Sequence, residues 1–117
     1  MRPEHNQRYT AALEAYRFQR RGEKPDAYWS ALLLIATATA DLWAKVQPYL
    51  EISRGNAWIG RLREEVDLSG GERRLIDLAQ NLYGNEGTVD VADLIDTLDS
   101  DLWAVAVQAM VIRRGEA

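Results

Sequence analysis

Residues 27–46 read Ala-Tyr-Trp-Ser-Ala-Leu-Leu-Leu-Ile-Ala-Thr-Ala-Thr-Ala-Asp-Leu-Trp-Ala-Lys-Val, and this stretch decides the fold. Because residues 32–35 are all large and apolar, a helix through them has apolar side chains on every side and needs neighbours all round it. A membrane span is the competing interpretation, but Asp41 and Lys45 leave fewer than the roughly 18 apolar residues that spanning requires. We therefore predict one continuous helix over residues 27–46, at the centre of a helical bundle.

The rest of the chain supports an all-α fold. Its 117 residues are 47% hydrophobic and 27% charged, with only three prolines, which is ordinary for one globular domain spanning residues 1–117. We expect a compact bundle of five to six helices around two largely buried central helices. The second central helix is predicted over residues 101–114, where few polar side chains interrupt the apolar ones.

The outer helices are predicted from apolar residues spaced three and four apart. This spacing predicts helices over residues 6–21, 57–66, 70–82 and 91–98. Asn56 is the expected cap of the second of these four. In the last of them we expect the inward side chains to be Val91, Leu94, Ile95 and Leu98.

Residues 68–82, which begin Leu-Ser-Gly-Gly-Glu-Arg-Arg-Leu, contain the one passage with a family likeness. They resemble the signature segment of ABC-type ATPases, in which a Ser-Gly-Gly turn contacts the γ-phosphate of ATP held by the opposite subunit. The chain has no Gly-x-x-x-x-Gly-Lys-Ser/Thr loop to hold phosphates. The same letters also predict a capping box, in which Ser69 and Glu72 each satisfy a free amide at a helix start.

Side chains for catalysis are scarce. The chain contains no cysteine, and its one histidine, His5, lies in a polar segment. Catalytic triads, zinc sites and di-iron sites each need more histidine or cysteine than this. We expect no catalytic residue, no cofactor, no metal site and no enzymatic activity.

Charge is divided unevenly along the chain. Residues 1–63 have ten Lys or Arg against six Asp or Glu, a balance of +4, whereas residues 64–117 have four against twelve, a balance of −8. The two halves of the chain could attract each other when folded, or the acidic half could offer a surface to a basic partner.

Two charged groups are candidate interaction sites. Positive charge gathers near the end of the first helix, at Arg17, Arg20, Arg21 and Lys24. It suits a solvated helix end or an anionic partner, although nucleic-acid sites are usually more basic than this. Aspartate recurs every third residue at Asp90, Asp93, Asp96 and Asp99. These aspartates either form a solvated face or mimic a run of phosphates.

Four tryptophans are many for a chain of this size, and tryptophan is enriched at binding hot spots. We expect Trp43, Trp58 and Trp103 in the core. Trp29, beside Tyr28 at a helix start, is the one expected to lie at the surface, and Tyr28 and Trp29 are a third candidate interaction site.

Three functions remain open. The first is a small non-enzymatic protein-binding or adaptor domain whose partner is another protein. The second is an acidic inhibitor or regulator of the kind that phages and mobile elements encode, which blocks a nucleic-acid-binding protein. The third is a homo-oligomeric structural protein such as a homodimer, which would have an exposed apolar patch around Tyr28 and Trp29. No direct contact with nucleic acid or membrane is favoured, and the polar N-terminal residues, which do not form a secretory signal, predict a cytoplasmic location.

Overall fold

Helices dominate the structure, a computed structural model that describes residues 1–115. Two 3₁₀ turns, Gln47–Tyr49 and Ile52–Arg54, and an antiparallel pair of two-residue strands, β1 (Leu50–Glu51) and β2 (Asn56–Ala57), separate the third helix from the fourth. The predicted all-α bundle is confirmed. The α-helices in this range are α1 (Pro3–Gln19), α2 (Ala27–Ala36), α3 (Ala40–Val46), α4 (Ile59–Glu65), α5 (Gly70–Gly84), α6 (Val91–Thr97) and α7 (Ser100–Arg114).

Helix α2 lies at the centre of the bundle. Every residue from 31 to 37 is fully shielded from solvent, because α5 and α7 pack against α2 and α1 covers it further. Each leucine buried in this way stabilises the fold by about 1.5–3 kcal/mol. Within residues 1–115, none of the helices combines the length and the apolar character needed to cross a bilayer.

The predicted single helix over residues 27–46 is wrong, because the chain breaks between α2 and α3. The Thr37 hydroxyl donates to the Leu33 carbonyl at 2.7 Å, and the Thr39 hydroxyl accepts from the Leu42 amide at 3.1 Å. Threonine hydroxyls compete in this way with the helical hydrogen bonds of the backbone. Thr39 thereby becomes the N-cap of a new helix.

Side chains from α1 satisfy the end of α2. His5 Nε2 donates to the Leu34 carbonyl at 2.8 Å, while Arg8 donates from Nε to the Thr37 carbonyl at 2.9 Å and from Nη2 to the Ala38 carbonyl at 3.1 Å. The last carbonyls of a helix have no partner within the helix. These hydrogen bonds therefore offset the cost of ending α2 inside the bundle.

Helix α7 packs against α2 as predicted, but it is less buried than we expected. Val105, Ala106, Ala109 and Ile112 face the core, whereas Ala104, Val107 and Met110 are exposed. Apolar residues therefore occupy more of the circumference of α7 than the neighbouring helices cover. Among the helices of residues 1–115, only α2 has a segment, residues 31–36, that is enclosed on all sides.

Several predicted helix boundaries shift. Helix α1 begins at Pro3 instead of residue 6, since proline suits a first helical turn where no amide partner is needed. Helix α4 begins at Ile59, and Asn56 lies in β2, so the prediction that Asn56 caps this helix is wrong.

The capping box at the start of α5 is confirmed. The Ser69 hydroxyl accepts from the Glu72 amide at 3.2 Å, and a Glu72 carboxylate oxygen accepts from the Ser69 amide at 2.8 Å. The same carboxylate pairs with Lys45 Nζ at 2.7 Å, which ties α5 to α3. A Cβ at Gly71 would come within 3.2 Å of Leu102. This Ser-Gly-Gly turn thus has a structural role in capping and close packing.

Replacing Arg8 by methionine tests whether α1 caps α2. The variant keeps most of the aliphatic stem and removes the donors to the Thr37 and Ala38 carbonyls. Hydrogen bonds of charged donors contribute about 1.5–3 kcal/mol, and we expect urea denaturation to show a loss of that order in unfolding free energy. Arg17→Met, at an exposed position on α1, is the control and should change it by less than about 0.5 kcal/mol. Equal losses in both variants would contradict the capping role.

His5 should make stability depend on pH. Burial lowers the pKa of His5 below its ordinary value of 6.5, and nearby Arg8 lowers it further, although the hydrogen bond to Leu34 opposes both. Above pH 6.5 the imidazole is neutral in both states and its contribution is complete. As the pH falls from 6.5 towards the lower folded pKa, the unfolded chain takes up the proton first, so stability is lost.

The measurement is the unfolding free energy between about pH 7.5 and pH 5.5. The wild type should lose stability over this interval, and His5→Gln, which cannot titrate, should lose less. A wild-type curve that coincides in slope with that of His5→Gln would contradict this role of His5.

Candidate protein-interaction surfaces

Trp29 belongs to the core, and the expectation that it lies at the surface is wrong. Its side chain is 6% exposed. The indole ring centroid lies 5.3 Å from that of Tyr16 and 5.2 Å, edge-on, from that of Tyr83. Such aromatic contacts stabilise beyond the area that they bury. Trp29 therefore joins α1, α2 and α5.

Tyr28 remains partly exposed but already has a neighbour in the fold. The Arg113 guanidinium carbon lies 3.7 Å from the centre of the Tyr28 ring, a cation–π contact. Arg113 Nε also donates to the Leu82 carbonyl at 2.8 Å. Tyr28 and Arg113 thus link the start of α2 to the end of α7. Although Tyr28 is partly exposed, its ring therefore already has a contact within the fold.

The expected burial of the other three tryptophans is only partly met. Trp43 and Trp103 are partly buried against the core. Trp58 is 42% exposed, and its Nε1 donates to a carboxylate oxygen of Glu51. The prediction that Trp58 is a core residue is wrong, because a residue at the start of the short helix α4 has few neighbours.

The four predicted basic residues divide into two roles. Arg20 is held by the fold, since it pairs with Glu23 at 3.2 Å and reaches the carbonyls of Ile52 and Ser53 at 3.5 and 3.4 Å. Arg17, Arg21 and Lys24 are exposed, and none has an ion-pair partner within residues 1–115. Phe18 stands among them and is 87% exposed. We call Arg17, Phe18, Arg21 and Lys24 the basic end.

Three of the four predicted aspartates hold contacts within the fold. Asp90 and Asp99 cap α6 and α7 by accepting from the amides of Asp93 and Leu102 at 3.2 and 2.8 Å. Asp93 pairs with Arg74 Nε at 2.8 Å. Asp96 is exposed and has no hydrogen bond or ion pair among the described residues.

Apolar side chains lie between these acids at the surface. Val91 and Ile95 are 60% and 58% exposed, so the prediction that they face inward is wrong. Helix α6 has only seven residues and buries only Leu94, with Leu98 buried just after it. Val91 and Ile95 are four residues apart, so they lie on the same side of α6. We call Asp90, Val91, Ile95, Asp96 and Asp99 the acidic face.

The sequence contained evidence for the exposure of Phe18 and for the inward position of His5, and the predictions included neither. Phe18 lies off the apolar stripe of α1 formed by Tyr9, Ala12 and Tyr16, and that position alone predicts exposure. His5 lies on the same stripe, four residues before Tyr9. It was missed because the helix was expected to begin after it.

The comparisons with known proteins do not assign this chain to a family. Comparison of the chain with protein-family models, with curated proteins and with solved structures found no match. Within residues 1–115, no three acidic or histidine side chains lie close enough together to hold a metal ion.

Proposed function

We propose that this chain is a small non-enzymatic protein-binding domain whose contact surface is the acidic face. The observation that carries the proposal is the exposure of Val91 and Ile95 between exposed carboxylates. Single exposed apolar residues are common, but an apolar pair inside a charged rim has the anatomy of an interface. The apolar pair would supply buried area and the carboxylates would choose the partner.

The charge of the face defines the class of partner as a basic protein surface. The carboxylates of Asp90 and Asp99 are held in place by their capping hydrogen bonds. Groups that are already ordered lose less entropy on binding. Asp96 has no such contact and is free to pair with a lysine or arginine of the partner. Opposite charges at an interface mainly raise the association rate and the specificity.

A more specific form of this proposal is an acidic regulator, of the type that phages and mobile elements encode, acting on a nucleic-acid-binding protein. Its basis is the exposure of three carboxylates within ten residues, Asp90, Asp96 and Asp99, which a groove built for phosphates could accept. None of the aspartates pairs with Arg17, Arg20 or Arg21 in the fold. The acidic charge therefore stays available to a partner.

Affinity capture from the native cell, with matched variants, tests the acidic face. Ile95→Lys reverses its character at an exposed position, and Met110→Lys makes the same kind of change on the exposed side of α7. We expect the wild type and Met110→Lys to retain the same partner and Ile95→Lys to lose it. A partner retained equally by all three would contradict the assignment of the surface.

Asp96→Asn provides the electrostatic test on that captured partner. Because Asp96 makes no contact within the described residues, the variant should keep its stability to within about 0.5 kcal/mol. The association rate should fall, and it should depend less on salt than that of the wild type, since salt screens exposed charges over about 10 Å at 0.1 M. An unchanged rate and salt dependence would show that charge does not direct the binding.

A second candidate function, a homo-oligomeric structural protein, is favoured by the basic end. Its exposed Phe18 and unpaired cations complement the apolar pair and carboxylates of the acidic face in a second copy. Such a contact joins two different surfaces, so it forms a ring when it closes and a chain when it does not.

Light scattering at low and high salt tests self-association. If this candidate is right, the mass at low salt exceeds the 13.2 kDa of one chain, high salt reduces it, and Phe18→Ser abolishes the increase. A mass of one chain under all conditions would exclude this candidate and leave the heterologous partner.

A further inference from the structure

A groove of about 820 Å³ lies away from the basic end and shares only Asp99 with the acidic face. It is bounded by the first residues of α1, by the junction of α2 and α3, and by the first half of α7. Small-molecule sites commonly measure about 300–1,000 Å³. The groove therefore has room for a small ligand and exists because α2 ends early.

The walls of the groove are largely apolar. Leu34 from α2 and Leu102 and Val105 from α7 line its inner side, and Leu34 is fully buried. Ala104 and Gln108 lie on the exposed side of α7 at the rim. An aliphatic chain fits such walls because it loses contact with water there.

His5 supplies a polar atom to the groove, and because no buried polar side-chain atom among the described residues lacks a partner, its unpaired ring nitrogen is accessible. The side chain lines the groove and is only 3% exposed. Because a carbonyl can only accept, the hydrogen bond to Leu34 places a proton on Nε2. The other ring nitrogen, Nδ1, has no hydrogen-bond partner among residues 1–115.

Arg8 has hydrogen-bond donors that the fold leaves unused at the groove. Arg8 lies three residues after His5 and uses Nε and Nη2 for the end of α2, which leaves donors on Nη1. Both carboxylates are already engaged, Asp101 with Arg2 at 2.7 Å and Asp99 with the Leu102 amide at 2.8 Å. The junction of α2 and α3 adds no charged side chain to the groove.

We propose that the groove binds a small monocarboxylate with an aliphatic chain. The carboxylate lies beside Nδ1 of His5 and Nη1 of Arg8, and the chain packs against Leu102 and Val105. Binding brings a proton to Nδ1, so that both ring nitrogens donate. The groove shares Asp99 with the acidic face, but the proposed carboxylate contacts are to His5 and Arg8, so the proposal does not rest on the protein-binding function.

Titration with hexanoate, followed by NMR, tests the site. The chain has one histidine, so the imidazole C–H signals report on this groove alone. We expect a saturable shift of these signals and a rise in the pKa of His5, because a carboxylate favours the charged imidazole. Hexanamide, of the same shape and without the charge, should leave the pKa of His5 unchanged.

Variants at the rim locate the site without disturbing the bonds of His5 and Arg8. Ala104→Phe fills the groove and should weaken hexanoate binding about tenfold or more, and Gln108→Glu should weaken it by charge repulsion. Ala11→Phe, at an exposed alanine that does not line the groove, should bind as the wild type does. Absence of saturable shifts, equal effects of hexanamide, or equal affinities of Ala104→Phe and Ala11→Phe would each overturn the proposal.

Discussion

Three hydrogen bonds from α1 hold one carbonyl in the last turn of α2 and the carbonyls of the two residues that follow it, where that helix ends inside the bundle. A helix that is apolar on every side must be enclosed by others, and an enclosed helix cannot leave its last carbonyls to water. His5 and Arg8 meet this requirement from one face of α1. The position of α1 is thus fixed by polar contacts as much as by the packing of Tyr16 against Trp29.

The end of α2 at Ala36 also determines where the groove lies. Because α2 stops at Ala36, α3 leaves in a new direction and a groove opens between α1, the junction and α7. The surfaces that we propose for interaction lie mainly on other elements, which have little packing of their own. Helix α6 buries Leu94 and exposes Val91 and Ile95, and the last turn of α1 exposes Phe18. A fully buried central helix, with charged surfaces on sparsely packed elements, is consistent with the protein-binding function that we propose.

The sequence predicted what depends on local pattern and missed what depends on neighbours. The all-α class, the enclosure of residues 32–35 and the Ser69–Glu72 capping box follow from spacing and propensity. The break after Ala36 was missed because a run of Ala and Thr resembles a helix until the hydroxyls are seen to bond the backbone. Trp29 and Trp58 exchanged their expected places, since burial depends on which helix packs over a side chain. The candidate sites were located by charge alone, and their apolar members Phe18, Val91 and Ile95 emerged only when the length of each helix was known.

Native-state hydrogen exchange tests most directly whether α2 is the element on which the fold depends. The amides of residues 33–36 should exchange only through global unfolding, with a free energy equal to that measured by urea denaturation. The amides of α6 should exchange through local opening at a lower free energy, because this helix buries little. If residues 33–36 exchanged more readily than α6, the central role of α2 would be contradicted.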